Sequence, residues 1–275
     1  MKLRFFTFIF SLFTLLVTFA QSDDFGMDFT VGAEKKIRPG MSFGIEGEAR
    51  TQDNTRKIER WTVGGEFEMR LFRTSNNAFE LKGSAGWKYM WLNNLAENIA
   101  KYDDDDDYKG YNARDRYWRN RHRTSISLNA DYELSKRWSF SLKETFQYTH
   151  FCKASTAVNK YRYKYEYDAD GNRVLRPDEP ESEVKDFKSK DRTVLRSRLT
   201  VKYNIRHCPV NPYASVDYGC GLNYTTNKWK YTAGADINLT KSKQHKMDVF
   251  YSYQTEDDDD EPNGHLIGVG YKLKF

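Results

Sequence analysis

The sequence predicts an all-β fold: an antiparallel up-and-down transmembrane β-barrel of about ten to twelve strands, following a cleaved signal peptide. Three observations predict it. Apolar and polar residues alternate through about eleven successive segments, and no convincing helical period interrupts them. The composition is hydrophilic yet aromatic, with 30% charged residues, 16% Phe, Trp and Tyr, and a mean hydropathy of −0.84. The connections between segments also come in two lengths that follow a regular order.

These facts narrow the class. No second long apolar segment exists, which excludes a helical membrane protein, and the aromatic content is too high for a disordered chain. A wall of strands reconciles the two, because only alternate residues meet lipid while aromatics gather at the interfaces. The formal net charge of +5 falls to about +3 once Lys2 and Arg4 leave with the expected signal peptide, a balance too small to give a case for nucleic acid as a partner.

At the N-terminus, Lys2 and Arg4 precede an almost unbroken apolar run from Phe5 to Phe19. Thr18-Phe19-Ala20 then offers small residues where a signal peptidase reads, making Gln21 the first mature residue. The run is short for a permanent span of about 20 residues and no stop-transfer charges follow it. No Cys stands at the cleavage position, which argues against a lipoprotein. The expected domains are a signal peptide at 1–20 and one barrel at 21–275.

The strands follow in order. Met27, Phe29, Val31 and Ala33 share a face opposite Asp28, Thr30, Gly32 and Glu34. Phe43, Ile45 and Ala49 oppose Glu46, Glu48 and Arg50, and Trp61, Val63, Phe67, Met69 and Leu71 oppose Arg60, Thr62, Glu66, Glu68 and Arg70. Phe79, Leu81, Ala85, Trp87, Tyr89 and Trp91 oppose Glu80, Lys82, Ser84 and Lys88. Ile126 to Leu134 opposes Arg123 to Asp131, and the face of Trp138, Phe140, Leu142, Phe146 and Tyr148 is broken by Glu144. The pattern recurs around Leu195–Ile205, Tyr213–Tyr224, Trp229–Leu239, Met247–Tyr253 and Leu266–Phe275.

Short turns are expected at Lys36–Gly40, Arg73–Asn77, Ser135–Arg137, Arg206–Asn211 and Thr240–Gln244, and long links at Asn93–Asp115, Cys152–Lys188 and Glu256–Asn263. Two strands separate the first and second long links and four separate the second and third, so all three leave one face. Outer-membrane barrels keep long loops outside and short turns in the periplasm. Counting back, however, starts the first segment on the outer face. Either that segment is only partly in the wall, or one strand is misassigned, or the closure is unusual.

Aromatic residues suggest two girdles. Trp87, Tyr89, Trp91, Trp118, Tyr148, Tyr224, Trp229, Tyr251 and Tyr253 fall near the outer face, and Tyr132, Trp138, Tyr203, Tyr213 and Tyr271 near the inner one.

The last strand sets Ile267, Val269, Tyr271, Leu273 and Phe275 against Gly268, Gly270, Lys272 and Lys274. With Tyr271, Leu273 and the terminal Phe275, it resembles the assembly signal of bacterial outer-membrane barrels. Asp24-Phe25-Gly26, Val31-Gly32-Ala33-Glu34-Lys35-Lys36 and Gly44-Ile45-Glu46-Gly47-Glu48-Ala49-Arg50-Thr51 carry a second likeness. In these the chain resembles an uncharacterised family of outer-membrane barrels of Bacteroidota, known only as a domain of unknown function. The resemblance covers the first quarter of the mature chain. It implies residence in the outer membrane, with its lipids, lipopolysaccharide and barrel-assembly machinery as partners, and it brings no activity or catalytic residues.

Inward-facing charges are the candidate functional residues. Early strands turn acids inward (Asp28, Glu34, Glu46, Glu48, Glu66, Glu68) and middle strands turn bases inward (Arg119, Arg121, Arg123, Arg196, Arg198, Lys202). Such charges either pair into a network that fills the lumen, or line a narrow polar pore whose arginine forks favour carboxylate or phosphate.

Other chemistry is poorly supported. The acidic runs Asp103–Asp107 and Glu256–Glu261 alternate direction on an extended chain and lack the spaced ligands of a calcium site. Asp168-Ala169-Asp170-Gly171-Asn172 has a calcium-loop opening, but Tyr161, Tyr163, Tyr165 and Tyr167 before it and Arg173-Val174-Leu175 after it read as a hairpin turned at Asp170-Gly171. Outer-membrane lipid hydrolases place His and Ser two residues apart on one strand, and no His-x-Ser occurs here. His122 with Ser125 and His150 with Ser155 are nearest, and neither pair shares a strand face. Cys152 and Cys220 fall two strands apart, about 10 Å at strand spacing and too far for a disulfide, so all three cysteines (with Cys208) are expected free or one pairs outside the chain. The expected function is a structural barrel or narrow polar pore without catalysis, metal or cofactor. A surface-binding protein using the long loops is the alternative, with a lipid-active enzyme third.

Overall fold

The computed structural model describes residues 24–102, 107–170, 172–240, 242–256 and 264–275. Residues 1–23, which include the expected signal peptide, and residues 103–106, 171, 241 and 257–263, which include much of the two acidic runs, lie outside the described residues.

Sixteen strands are described, and no helix. In chain order they are β1 Asp24–Arg38, β2 Met41–Gln52, β3 Lys57–Arg73, β4 Phe79–Asn94, β5 Glu97–Tyr102, β6 Tyr108–Arg114, β7 Tyr117–Glu133 and β8 Trp138–Phe151. Then follow β9 Ala154–Tyr167, β10 Arg173–Pro177, β11 Glu181–Phe187, β12 Lys190–Tyr203, β13 Val210–Gly221, β14 Asn227–Asn238, β15 His245–Glu256 and β16 Gly264–Lys274. Eleven of them close a barrel in the order β1-β16-β15-β14-β13-β12-β8-β7-β4-β3-β2. Eleven strands about 4.8 Å apart and tilted about 40° enclose a backbone ring roughly 22 Å across.

The odd strand count explains the N-terminus. Sequential neighbours in an up-and-down barrel run antiparallel, so an eleventh strand runs in the same direction as the first. β1 and β16 accordingly pair in parallel, from Asp24↔Gly264 to Glu34↔Lys274. The unusual closure is therefore the correct alternative: β1 starts at the barrel end from which the chain leaves β4, β8 and β15. Outside the seam, Met27, Phe29, Val31 and Ala33 meet Ile267, Val269, Tyr271 and Leu273. Inside it, Glu34 takes Lys272 at 2.7 Å and Lys274 at 2.9 Å. The seam's backbone bonds run on to Phe275, whose N–H donates to Glu34 O and whose carbonyl accepts from Lys36 N–H.

Local chemistry sets the turns. Pro39-Gly40 joins β1 to β2, with Gly40 at φ +83°, where a side chain would be strained. Asp53, Asn54 and Thr55 all adopt positive φ between β2 and β3. The Asp24 carboxylate holds that turn, accepting from the N–H groups of Asn54 (2.9 Å) and Asp53 (3.2 Å). A Cβ on Gly26 would lie 2.4 Å from Thr51 O, so Asp24-Phe25-Gly26 is a turn-docking segment.

The chain divides into two compact units, one comprising residues up to Met90, His122–Thr149 and Arg192–Phe275, the other Trp91–Arg121 and His150–Asp191. In the second unit the structure corrects the expectation of long loops. Residues 97–114 contain β5 and β6, and residues 154–187 contain β9, β10 and β11, in a sheet ordered β10-β9-β6-β5 with β11 also on β9. Charged and tyrosine side chains alternate there, so the strands carry little apolar signal. The hairpin reading of β9 and β10 stands, with Tyr167 opposite Arg173. The core of this unit is Phe151, Leu92 and Val158.

Candidate functional site

The barrel unit is apolar outside and charged inside. Phe29, Val31, Ile45, Trp61, Ile126, Leu128, Leu142, Phe146, Leu199 and Tyr231 are exposed, whereas Asp28, Arg50, Glu59, Arg60, Ser127, Asp217 and Ser252 are buried. Strand alternation alone produces this, since successive side chains point to opposite faces.

Most of the inward charges are paired. Arg50 Nη2 lies 2.8 Å from Asp28 Oδ2, with Nε 3.1 Å from the same oxygen, and both side chains are almost fully enclosed. Arg60 Nε donates to Glu48 at 2.9 Å and Nη1 to Glu59 at 3.3 Å. A register shift between Arg50 and Thr51 accompanies burial of the consecutive residues Glu59 and Arg60. Further round, Lys88 pairs with Glu46 at 2.7 Å, Lys143 with Glu66 at 3.5 Å, and Lys82 with Asp131, Glu68 and Glu80. On β12, Arg196 forks Asp217 at 2.8 and 3.1 Å while Arg198 reaches it at 2.6 Å. Lys202 bonds Asp236.

Register arranges the wall from β12 to β15 in rows. Lys202, Tyr213, Gly234 and Phe250 are successive cross-strand partners, and Phe250 faces Gly268 beyond. The glycines make room: a Cβ on Gly268 would lie 2.1 Å from the Phe250 ring, and one on Gly234 2.7 Å from the Tyr213 hydroxyl. Large and small residues thus alternate across the floor of a cavity of about 280 Å³. Tyr213 belongs to this row and not to the inner girdle, its hydroxyl donating to Asp248 at 3.0 Å. Trp138 and Tyr203 do meet, their rings 4.8 Å apart, and Trp229 packs on Tyr218 at 4.6 Å.

Of the candidate residues, Glu46, Glu48, Glu66, Glu68, Arg196, Arg198 and Lys202 belong to the barrel's paired charges. Arg123 Nε donates to Thr149 Oγ1 at 3.3 Å. Arg119 and Arg121 fall in the second unit and stack on Phe151, 5.3 and 4.2 Å from its centroid. Arg119 also donates to the carbonyls of Cys152 and Lys188. Tyr271 faces outward and bonds His245 Nδ1 at 2.6 Å, and Leu273 pairs with Ala33. Sequence reasoning set Arg50 on the polar face without counting it among the candidates, and it missed Asp217, Asp236, Asp248 and Lys230, although parity with Val216 and Tyr231 on the outer face places Asp217 and Lys230 inward.

In the second unit, Asp168 accepts from the N–H groups of Asn172 (2.8 Å) and Asp170 (3.0 Å), bonds that hold its carboxyl below the usual carboxylate range. It caps a turn. No group of three or more metal-ligating side chains occurs among the described residues, and the cysteines are free. No protein-family model and no curated protein matches the chain.

Proposed function

We propose that the chain is a non-enzymatic barrel of a bacterial outer membrane, enclosing a narrow polar lumen braced by ion pairs. One observation carries the reading: the side chains exposed on the wall are large and apolar, while those shut inside are polar or charged, with most of the charges in ion pairs. In water that arrangement would leave an apolar surface far beyond what soluble monomers expose. In a bilayer it is the stable one, because closure satisfies every backbone ladder and the band of apolar side chains meets lipid. The signal peptide, the terminal aromatic strand and the likeness to outer-membrane barrels of Bacteroidota support the same location. Among the described residues, neither His122 with Ser125 nor His150 with Ser155 is hydrogen-bonded, and His150 instead meets Asp191 at 2.6 Å.

Fractionation with semi-native electrophoresis tests the proposal. The chain should be recovered in outer membranes and migrate differently in SDS before and after boiling. Soluble recovery, or identical migration under mild extraction, would overturn it. Planar bilayers separate the two forms: reproducible conductance indicates a pore, and silence a filled structural barrel.

A second reading, surface binding, is favoured by the tyrosine ladder of the second unit. There Tyr111 stacks on Tyr161 at 4.7 Å, Tyr108 lies 5.9 Å from Tyr163, and Arg173 covers Tyr165 at 3.6 Å.

A further inference from the structure

We propose that the barrel lumen contains a binding site for a small oxoanion, a phosphate or carboxylate group, between Lys230 and a row of hydroxyls on β12 to β14. The proposal rests on the polar-lumen reading above and adds a ligand class and an address to it.

Register defines the site. Arg198, Asp217 and Lys230 are successive cross-strand partners and form one inward row. The next row toward the Tyr213–Phe250 floor is Thr200, Ser215 and Thr232. Arg198, Lys230 and these three hydroxyls all line the cavity of about 280 Å³. At about 30 Å³ per water, that space holds roughly nine waters, enough for a small solute and too little for a polymer.

Within this row, and among the described residues, one cation is left over. Asp217 is the single carboxylate of its row and is already shared by Arg196 and Arg198. Lys230 has no carboxylate partner among the described residues, and its ammonium lies 5.6 Å from the centroid of the Phe250 ring. Its strongest electrostatic neighbours include Arg50, Arg198 and Arg196, all of its own sign, and Asp28, which is committed to Arg50 at 2.8 Å. The cavity's other acids do not answer it. Asp236 and Asp248 lie opposite one another, three inward rows away from Lys230, roughly 20 Å along the strands at about 3.4 Å per residue. There Lys202 and the Tyr213 hydroxyl engage them.

The hydroxyls complete the chemistry. Thr200, Ser215 and Thr232 make no side-chain hydrogen bond among the described residues, so each has a donor to offer. An ammonium, a guanidinium edge and three hydroxyl donors around one space match the oxygens of a phosphate or carboxylate, and charge-assisted bonds of that type are the strong ones. A cation would meet Lys230 and Arg198 directly, and an apolar solute would strand the hydroxyls.

Titration calorimetry on the full chain in detergent micelles tests this, with inorganic phosphate, sulfate and succinate as probes. Saturable binding of at least one is expected, weakened at least tenfold by Lys230→Met and severalfold by Thr232→Val. Lys246→Met, which removes a lumen cation on β15 outside the site, should bind as the parent does. A parent without saturable binding, or Lys230→Met and Thr232→Val proteins that both bind unchanged, would overturn the site. The same samples are run unboiled and boiled. A mobility shift without binding refutes the anion site alone, whereas loss of the shift in the parent refutes the barrel reading beneath it.

Discussion

Replacing Asp28 by Asn should be among the most damaging single changes in the barrel. The carboxylate is 5% exposed and takes both Nε and Nη2 of Arg50, whose side chain is 8% exposed. Asn keeps the shape and one acceptor oxygen but removes the charge, leaving the buried guanidinium with carboxylates only at the longer distances of Glu48 (3.6 Å) and Glu59 (3.9 Å). Breaking a buried pair from one side costs about 3–5 kcal/mol, or roughly 10²- to 10⁴-fold in the folding equilibrium. The Lys88–Glu46 pair is similar in length at 2.7 Å, but its side chains are 41% and 43% exposed. Solvent screens it, so Glu46→Gln should cost no more than about 1 kcal/mol. Urea unfolding of both variants in lipid vesicles, followed by tryptophan fluorescence, measures the difference. Replacing Asp28 and Arg50 together by Leu and Met should restore most of the loss, because an apolar pair leaves no stranded charge. Equal costs for Asp28→Asn and Glu46→Gln would refute the argument that enclosure decides the value of these pairs.

Other perturbations probe the wall from its two sides. Glu144 shares the outer row with Leu142 and Phe146, and its carboxylate is met by Ser197 Oγ at 2.7 Å, so Glu144→Leu should stabilise the vesicle-inserted protein by about 1 kcal/mol in the same assay. No gain, or a loss, would mean that this face does not meet lipid. Gly268→Val should cost about 1–3 kcal/mol by driving a Cβ into the Phe250 ring, and Phe250→Ala should relieve it in the double variant. Strictly additive losses would show that the ring does not occupy that space. In the second unit, the Asp168 turn should be fully formed above the unfolded carboxylate pKa of about 3.9 and loosen as pH falls through its depressed folded value. Hydrogen exchange at the Asn172 amide, protected at neutral pH and unprotected in acid, reports this; pH-independent protection would contradict it.

Much of the barrel was legible because a period of two is a strong signal when repeated. Each of the eleven apolar runs became a wall strand, and the first strand's conflict with the others was the mark of a parallel seam, which an odd count requires. Pairing was harder to see. Lys143 and Glu66 lie 77 residues apart, and whether they meet depends on barrel order and stagger, which alternation does not encode. Glu59 and Arg60 are consecutive yet both buried beside a register shift, so strict parity assigns one of them wrongly. Of the five strands in the long links, β9 and β10 were legible as a hairpin, whereas β5, β6 and β11 escaped notice because so many of their residues are charges and tyrosines. Lys230 was readable by parity from Trp229 and Tyr231, but its lack of a carboxylate became visible only once the rows were aligned.

The most direct test of the account is a disulfide across the seam. With Cys152, Cys208 and Cys220 replaced by Ser, the pair Val31→Cys and Tyr271→Cys joins outward partners of β1 and β16. Neighbouring Cα atoms about 4.8 Å apart fall inside the disulfide window, whereas Val31→Cys with Val269→Cys, two residues out of register, stands about 8 Å apart and outside it. The account predicts rapid, near-complete cross-linking of the first pair and little of the second in protein taken from the outer-membrane fraction. Equal cross-linking of both pairs, or failure of the in-register pair in that fraction, would contradict a barrel closed by a parallel seam in the membrane.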